Sequence, residues 1–192
     1  MTARGHRVSL CFDKAELDRG DVLFLVSCAQ IVGDRERSRF GAVLVLHASD
    51  LPAGRGWSPH VWAVVGGAST ITVCLIEAND PVDSGDIWGR VTFTLEGHEL
   101  LDEINDKLFD AELALMTRAV DAGGRLVAAP QVGAPGAALR RRTPDDSRLD
   151  PSRSLADQFD LLRVVDNDRY PAFFDHLGHR YYLRITKASP SS

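Results

Sequence analysis

The chain has little of what marks a metal-binding, secreted or membrane protein. Its three cysteines, Cys11, Cys28 and Cys74, form no C-x-x-C pair and lie among apolar neighbours, so we interpret them as buried, reduced thiols. No apolar run approaches the roughly 20 residues of a membrane span, and residues 1–21 lack the apolar centre of a signal peptide. We therefore expect a soluble, cytoplasmic protein with no metal site and no membrane contact.

An excess of positive charge is also lacking. The 22 lysines and arginines are outnumbered by 27 aspartates and glutamates, which gives a formal net charge of −5. Nucleic-acid binding needs a basic face that neutralises phosphates, so we expect no nucleic-acid partner. Any anionic ligand must be met by a local cluster of arginines.

The apolar pattern predicts an α/β chain with a small C-terminal helix and strand addition. Helices are predicted at 60–65 and 99–121, and another is expected to begin at Asp150-Pro151. Residues 128–138 are rich in Pro, Gly and Ala and suggest a linker, so we divide the chain into a catalytic domain, 1–127, and a linker with a substrate-side subdomain, 128–192. The predicted strands are 8–12, 21–27, 42–46, 70–77, 87–95 and 180–185.

Two residues at the ends of predicted strands stand out as candidates for chemistry. His47 directly follows the apolar strand 42–46, and Asp83 lies in the loop between strands 70–77 and 87–95. Taken singly, a histidine at a strand end is often structural, and an Asp/Ser/Gly loop is often only a turn. Together they could face each other across a cleft at the sheet edge, the pairing that acyl transfer to an amine requires.

The stretch 44–88 resembles the formyltetrahydrofolate-dependent formyltransferases, and the resemblance extends over roughly residues 20–187. The family motif runs from a strand ending in Asn-x-His, through Ser-x-Leu-Pro and a Gly-containing loop, to Asp-x-Gly after the next strand. His47, Ser49 and Leu51-Pro52 match its first part, and Asp83-Ser84-Gly85 matches the second. The segment 141–150, followed by 158–174, is similar to the members that act on nucleotide-linked aminosugars.

The resemblance implies a nucleotide-binding-like, mostly parallel sheet flanked by helices, with N10-formyltetrahydrofolate as co-substrate and a primary amine as acceptor. It implies His47 and Asp83 as catalytic residues. The implied folate-binding residues are Ser27, Trp62, Asp80 and Pro81. The implied substrate-binding residues are Ser49, Gly56, Arg142, Thr143, Asn167, Arg169 and Tyr170.

Some of these residues have a simpler interpretation. The arginine fork suits phosphate oxygens, so the run 140–142 could grip a diphosphate. The same run could instead be a solvated segment that is balanced by Asp145, Asp146 and Asp150. Tyr170 begins the segment 170–174, which could equally pack in a core.

Two departures from the family pattern leave alternatives open. Val45 stands where the family has an Asn that helps to hold the oxyanion, and losing one such donor typically costs about 10²–10³ in rate. Ser49 or a backbone N–H could replace it. Only 46 residues precede His47, so we expect a sheet that is narrow at its first edge, where a second subunit of a homodimer could cover it. A formyltetrahydrofolate hydrolase and a non-catalytic binding homologue remain alternatives.

Overall fold

A computed structural model describes residues 2, 5–123 and 126–188 of the chain. Four strands form one sheet in the order β1-β2-β3-β4, and a two-stranded hairpin lies near the C-terminus. The strands are β1 (Gly20–Val26), β2 (Phe40–His47), β3 (Thr70–Glu77), β4 (Ile87–Thr94), β5 (Ala172–His176) and β6 (His179–Leu183). The helices are α1 (Asp34–Arg37), α2 (Pro59–Val65), α3 (Leu101–Ala122) and α4 (Phe159–Leu162). Within the described residues, no helix is both long enough and apolar enough to cross a membrane.

The predicted α/β class is confirmed, but the sheet is mixed rather than mostly parallel. β1 and β2 are parallel, whereas β2 and β3, and β3 and β4, are antiparallel. A parallel connection needs a crossover of about a dozen residues or more, and the loop 78–86 between β3 and β4 is too short for one. The hairpin that results carries Asp83 back toward β2.

Alternation along β2 separates the core from the site. Leu44 and Leu46 face the buried cluster formed with β3 and with the apolar stripe of α3. Val45 belongs to a second cluster, with Leu51, Cys74, Ile76 and Ile87. Because strand side chains alternate between faces, Val45 and His47 share the face opposite α3. The catalytic candidate therefore lies on the sheet face that α3 leaves uncovered.

Two predicted elements are wrong. Residues 8–12 form no strand, and Leu10 and Phe12 are 80% and 87% exposed. No helix begins at Asp150-Pro151, because a side-chain network holds a turn there instead. Gln158 donates from Nε2 to the carbonyl of Asp150 at 3.0 Å, and its Oε1 accepts from the backbone N–H of Asp150 at 2.7 Å. Only the short turns Ala156–Gln158 and Phe159–Leu162 are helical.

A buried ion pair joins the start of α3 to the C-terminal part of the chain. Glu99 and Arg163 are each 2% exposed, and Glu99 Oε2 lies 3.5 Å from Arg163 Nη1. Lys107 Nζ donates to Glu99 Oε1 at 2.6 Å. The backbone N–H groups of Glu96 and Gly97 also donate to this carboxylate. The segment after α4 is thus attached to the sheet layer through a carboxylate surrounded by donors.

Glu112 is a buried acid on the core side of α3, and its replacement should stabilise the protein. It is 4% exposed, and burial raises the pKa of its carboxyl from 4.5 to about 7. Between these values the folded state holds a proton that the unfolded state releases, so stability falls as pH rises. We expect Glu112→Gln to raise the free energy of unfolding by about 1–3 kcal/mol at pH 8, and by much less below pH 4.5.

Urea unfolding of both proteins across this pH range measures the effect. Asp106→Asn, on the exposed face of the same helix, is the matched control and should change little. A Glu112→Gln gain that is equal at pH 4 and pH 8 would contradict the assignment to ionisation.

Candidate functional site

The site lies at the edge of the sheet where β1 and β2 end. These strands are parallel, and Val26 is paired with Leu46, so Ser27 and His47 follow at the same edge. Ser27 is exposed and has a φ of +49°, an uncommon value for a residue other than glycine. β3 runs antiparallel to β2, so the loop that carries Asp83 begins beside Val43, where Ala78 donates to its carbonyl, and returns to meet His47.

His47 and Asp83 are brought together, as the sequence predicts. His47 is 6% exposed and Asp83 is 9% exposed. The Nδ1 atom of His47 lies 3.4 Å from Oδ1 of Asp83. The other ring nitrogen, Nε2, lies 3.0 Å from the carbonyl oxygen of Gly54. Since a carbonyl oxygen only accepts hydrogen bonds, Nε2 carries a proton in this arrangement.

Gly56 fixes the second oxygen of Asp83. Its backbone N–H donates to Asp83 Oδ2 at 2.9 Å. Gly56 has a φ of +108°, and a Cβ there would lie 2.3 Å from the carbonyl oxygen of Leu139. Only glycine can therefore bring this N–H to Asp83 while the chain of residue 139 passes so close.

A second imidazole lies near His47. His60, in the first turn of α2, has a pKa lowered to about 4, first by burial and then by the charge of His47. His60 is therefore neutral near pH 7.

Two of the predicted folate-binding residues, Asp80 and Trp62, are in contact with arginines. Asp80 and Pro81 belong to the Asp83 loop, and Asp80 Oδ2 lies 2.5 Å from Nη2 of Arg37. Trp62 lies on α2, where its Nε1 donates to the carbonyl of Arg140 at 3.1 Å. The guanidinium of Arg140 also covers the Trp62 ring, 4.9 Å from its centroid.

Most of the substrate-binding candidates have internal partners. Ser49 Oγ donates to the carbonyl of Ala53 at 2.8 Å. Arg142 is partly buried and donates to the carbonyls of Asp146 and Val164, both at 3.3 Å; burial lowers its pKa. Thr143 donates to the carboxylate of Asp146 from its backbone N–H at 2.7 Å and from its hydroxyl at 3.0 Å.

The last three candidates lie together beside α4, apart from the His47 loop. Asn167 donates from Nδ2 to the carbonyl of Ile185 at 3.1 Å and lines a cavity of about 490 Å³ at the start of α3. Neither His47 nor Asp83 is among the described residues that line this cavity. The guanidinium of Arg169 lies 5.7 Å from the centroid of Tyr170, and the Tyr170 carbonyl accepts from the Ser147 hydroxyl at 2.9 Å.

Two residues that contact His47 or the Asp83 turn were not predicted from the sequence. Gly54 supplies the carbonyl that faces His47 Nε2. Gln131 donates to the carbonyls of Asp83 and Gly85, although it lies in the predicted linker. A glycine in a loop and a glutamine beside a proline carry no local signal of such roles.

Arg141 is exposed beside the loop that begins at His47. Its guanidinium lies 5.1 Å from the centroid of Trp57, which is itself 42% exposed. Trp57 is in turn held by a hydrogen bond from its backbone N–H to the carbonyl of Leu139 at 3.0 Å. Within the residues that the structure describes, no group of three or more His, Cys, Asp or Glu side chains could hold a metal ion.

Comparison with known proteins supports the resemblance seen in the sequence. The sequence model of the family described as formyl transferase matches residues 2–120. The structure of methionyl-tRNA formyltransferase from Clostridium thermocellum matches with a TM-score of 0.70 and 22% identity, over 88% of this chain and 74% of that protein.

Two further structures match the same fold. A sugar N-formyltransferase from Shewanella sp. matches with a TM-score of 0.66 and 17% identity, over 89% of this chain and 71% of that protein. HypX from Aquifex aeolicus, in complex with tetrahydrofolic acid, matches with a TM-score of 0.71 and 18% identity. That match covers 83% of this chain and 28% of HypX. At these identities the structural likeness concerns the fold.

Proposed function

The chain belongs to the formyl transferase family, and from that premise we propose that it moves the formyl group of N10-formyltetrahydrofolate onto a primary amine of a nucleotide-linked aminosugar. The pairing of His47 with Asp83 at the sheet edge carries this proposal. It puts an imidazole N–H and a carboxylate together in a site that is largely shielded from water. In such a site a fixed donor stabilises developing charge more strongly than it would in solution.

His47 serves as the donor to the reacting carbonyl. As the amine attacks the formyl carbon, electrons move onto the formyl oxygen, which replaces the Gly54 carbonyl as the acceptor for Nε2. Asp83 orients the ring through Nδ1 and is itself fixed by the N–H of Gly56. His47 then gives its Nε2 proton to N10 as the C–N10 bond breaks, and it regains a proton from the new amide nitrogen. The products are the formamide and tetrahydrofolate.

Ser27, Asp80 and Pro81 are the proposed folate-binding residues. Ser27 follows β1 beside His47, and Asp80 and Pro81 lie in the Asp83 loop. HypX, a protein of the same fold, binds tetrahydrofolic acid, which supports a folate as the co-substrate. The ring face and N–H of Trp62 are engaged by Arg140, so we assign Trp62 to supporting the substrate side instead.

Arg141 is the proposed contact to the phosphates of the acceptor. It is exposed beside the loop that follows His47, stacked on Trp57. Arg142 and Thr143 follow it in the chain and are held by hydrogen bonds to Asp146. The named sugar N-formyltransferase of the same fold supports an aminosugar as the acceptor class.

The test is turnover of N10-formyltetrahydrofolate, followed by the absorbance of the folate product, with a panel of UDP- and dTDP-linked aminosugars. We expect turnover that depends on one of these amines. Turnover with simple amines but with none of the nucleotide sugars would contradict the acceptor class while leaving formyl transfer intact.

One observation favours a second candidate, a binding homologue that does not turn over. The Val45 side chain packs in the apolar cluster on the site's face, where it offers no donor to an oxyanion. Ser49 cannot replace the missing amide without breaking its bond to Ala53, because a hydroxyl has a single proton. Folate binding with no turnover of any acceptor would establish this candidate, and Val45→Asn would be the first variant to examine.

A further inference from the structure

Gln131 uses all the hydrogen-bonding groups of its amide to join two loops. Its Nε2 donates to the carbonyl oxygens of Asp83 and Gly85, both at 2.9 Å. Its Oε1 accepts from Nη2 of Arg55 at 2.7 Å. Arg55 lies in the loop that begins at His47, so one partly buried side chain bridges the loops of both catalytic candidates.

The backbone on either side of Gln131 is hydrogen-bonded to the end of the Asp83 loop and to the His47 loop. Ala129 exchanges backbone hydrogen bonds with Ile87, the first residue of β4, at 2.7 and 3.0 Å. Leu139 donates to the carbonyl of Arg55 at 2.7 Å and accepts from the N–H of Trp57 at 3.0 Å. The segment 129–139, which overlaps the predicted linker 128–138, therefore runs across the site from the end of the Asp83 loop to the His47 loop.

The turn that Gln131 holds has an uncommon conformation. Asp83 has a φ of +60°, which costs an aspartate more than a glycine. Gly85 lies so close to β3 that a Cβ on it would be 2.0 Å from the carbonyl oxygen of Glu77. A turn of this kind persists only when its surroundings fix it. Gln131 does this by binding the carbonyls of Asp83 and Gly85, on either side of Ser84.

We infer that Gln131 is a positioning residue, which holds the Asp83 turn against the His47 loop and so sets the separation between the Asp83 carboxylate and the His47 ring. The expected effect of Gln131 on the rate rests on the proposed function. The effect of Gln131 on the geometry of His47 can be measured without turnover.

The rate test is a double-mutant cycle between Gln131 and Asp83. We expect Gln131→Leu to lower kcat about 10- to 100-fold with little change in the KM for folate, because small misplacements of a catalytic group have effects of this size. In an Asp83→Asn background the same change should have almost no further effect, since Gln131 acts through Asp83. An equal loss of kcat in both backgrounds would overturn the inference.

The second readout needs no turnover. Long-range ¹H–¹⁵N spectra of histidine-labelled protein report the ring nitrogens, and His47→Ala identifies the His47 signals among the six histidines. Gln131→Leu should shift these signals, whereas Val132→Ala should not, because Val132 is the adjacent residue and is 84% exposed. Unchanged His47 signals in Gln131→Leu would contradict the positioning role even in a protein that turns over nothing.

Glu at position 131 separates the two halves of the bridge. Gln131→Glu keeps an acceptor for Arg55 but removes both donors to the Asp83 turn, so we expect it to lower kcat and shift His47 as Gln131→Leu does. Wild-type values for Gln131→Glu would show that the Arg55 contact alone matters, which overturns the inference. This variant also replaces Gln131→Leu in the cycle if the leucine protein does not fold.

Discussion

Replacing His47 by alanine is expected to lower kcat for formyl transfer by about 10²–10⁴, the usual contribution of a positioned general acid or base. The change removes the Nε2 donor and the relay for the proton lost by the amine, and it leaves the Asp83 carboxylate without its imidazole partner. Ser27 and the Asp80–Pro81 part of the loop keep their places. The affinity for folate should therefore change little, so the loss should appear in kcat rather than in KM.

His179→Ala is the matched control for this variant. His179 is exposed at the start of β6, far along the chain from the site loops, and its removal should leave kcat unchanged. Stopped-flow or steady-state absorbance of the folate product measures both variants. Full activity in His47→Ala would contradict the catalytic assignment, and equal losses in the two variants would point to misfolding instead.

Replacing Glu99 by glutamine should destabilise the protein by about 3–5 kcal/mol at pH 7, the usual cost of breaking a buried ion pair from one side. Every partner of the Glu99 carboxylate is a donor: the side chains of Lys107 and Arg163, and two backbone N–H groups. The side-chain amide in Glu99→Gln would place an N–H group against at least one of these donors, where no hydrogen bond can form. It also leaves the buried Arg163 with only Asp160 as an acidic partner among the described residues.

The pH dependence of this difference identifies its cause. Burial alone would raise the pKa of Glu99, but hydrogen bonds from Lys107 and the backbone outweigh it and lower the pKa from 4.5 to about 2. A lowered acid pKa stabilises the folded state above the unfolded value and loses that effect as pH falls. The wild-type advantage over Glu99→Gln should be constant above pH 5 and shrink between pH 4.5 and 2.

Urea unfolding of the two proteins over this range is the measurement. Glu96→Gln is the control, because Glu96 is exposed and its carboxylate pairs with His98 at the surface. A wild-type advantage that does not change between pH 5 and pH 2 would exclude the Glu99 ionisation as its source.

The catalytic candidates could be predicted because their signals are local. His47 ends an apolar strand, and Asp83 lies in a short acidic loop, so residue type and position along the chain sufficed. The family motif then linked them before any distance was known. The structure places the two side chains 3.4 Å apart, although many residues separate them in the sequence.

The rest of the site depends on contacts between distant residues, which leave no local pattern. Gln131 binds the Asp83 turn from a segment that looks like a linker. Arg142 and Thr143 have the chemistry of phosphate ligands, but in the structure they bond to Asp146 and to nearby backbone. Chemistry alone cannot distinguish an arginine that waits for a ligand from one that already has partners.

Errors in the fold have similar causes. The apolar residues at 8–12 suggest a strand, but a strand also needs a neighbour, and this segment pairs with none of the described strands. The Asp150-Pro151 pair has the form of a helix start, yet Gln158 binds back to Asp150 and stabilises a turn. At 8–12 the lack of a pairing partner, and at Asp150 a side-chain contact, decided what local preference left open.

Carbon-13 spectroscopy of a single reaction shows whether this chain transfers the formyl group to a sugar amine. The donor is N10-formyltetrahydrofolate labelled in the formyl carbon. The acceptor is the nucleotide-linked aminosugar that gives the fastest turnover, or the whole panel of UDP- and dTDP-linked aminosugars if no single one gives turnover. With the wild-type protein the label should appear as a formamide on the sugar, and with His47→Ala it should stay on the folate. Label released as free formate would identify a hydrolase, and label that stays on the folate with the wild-type protein would contradict formyl transfer by this chain.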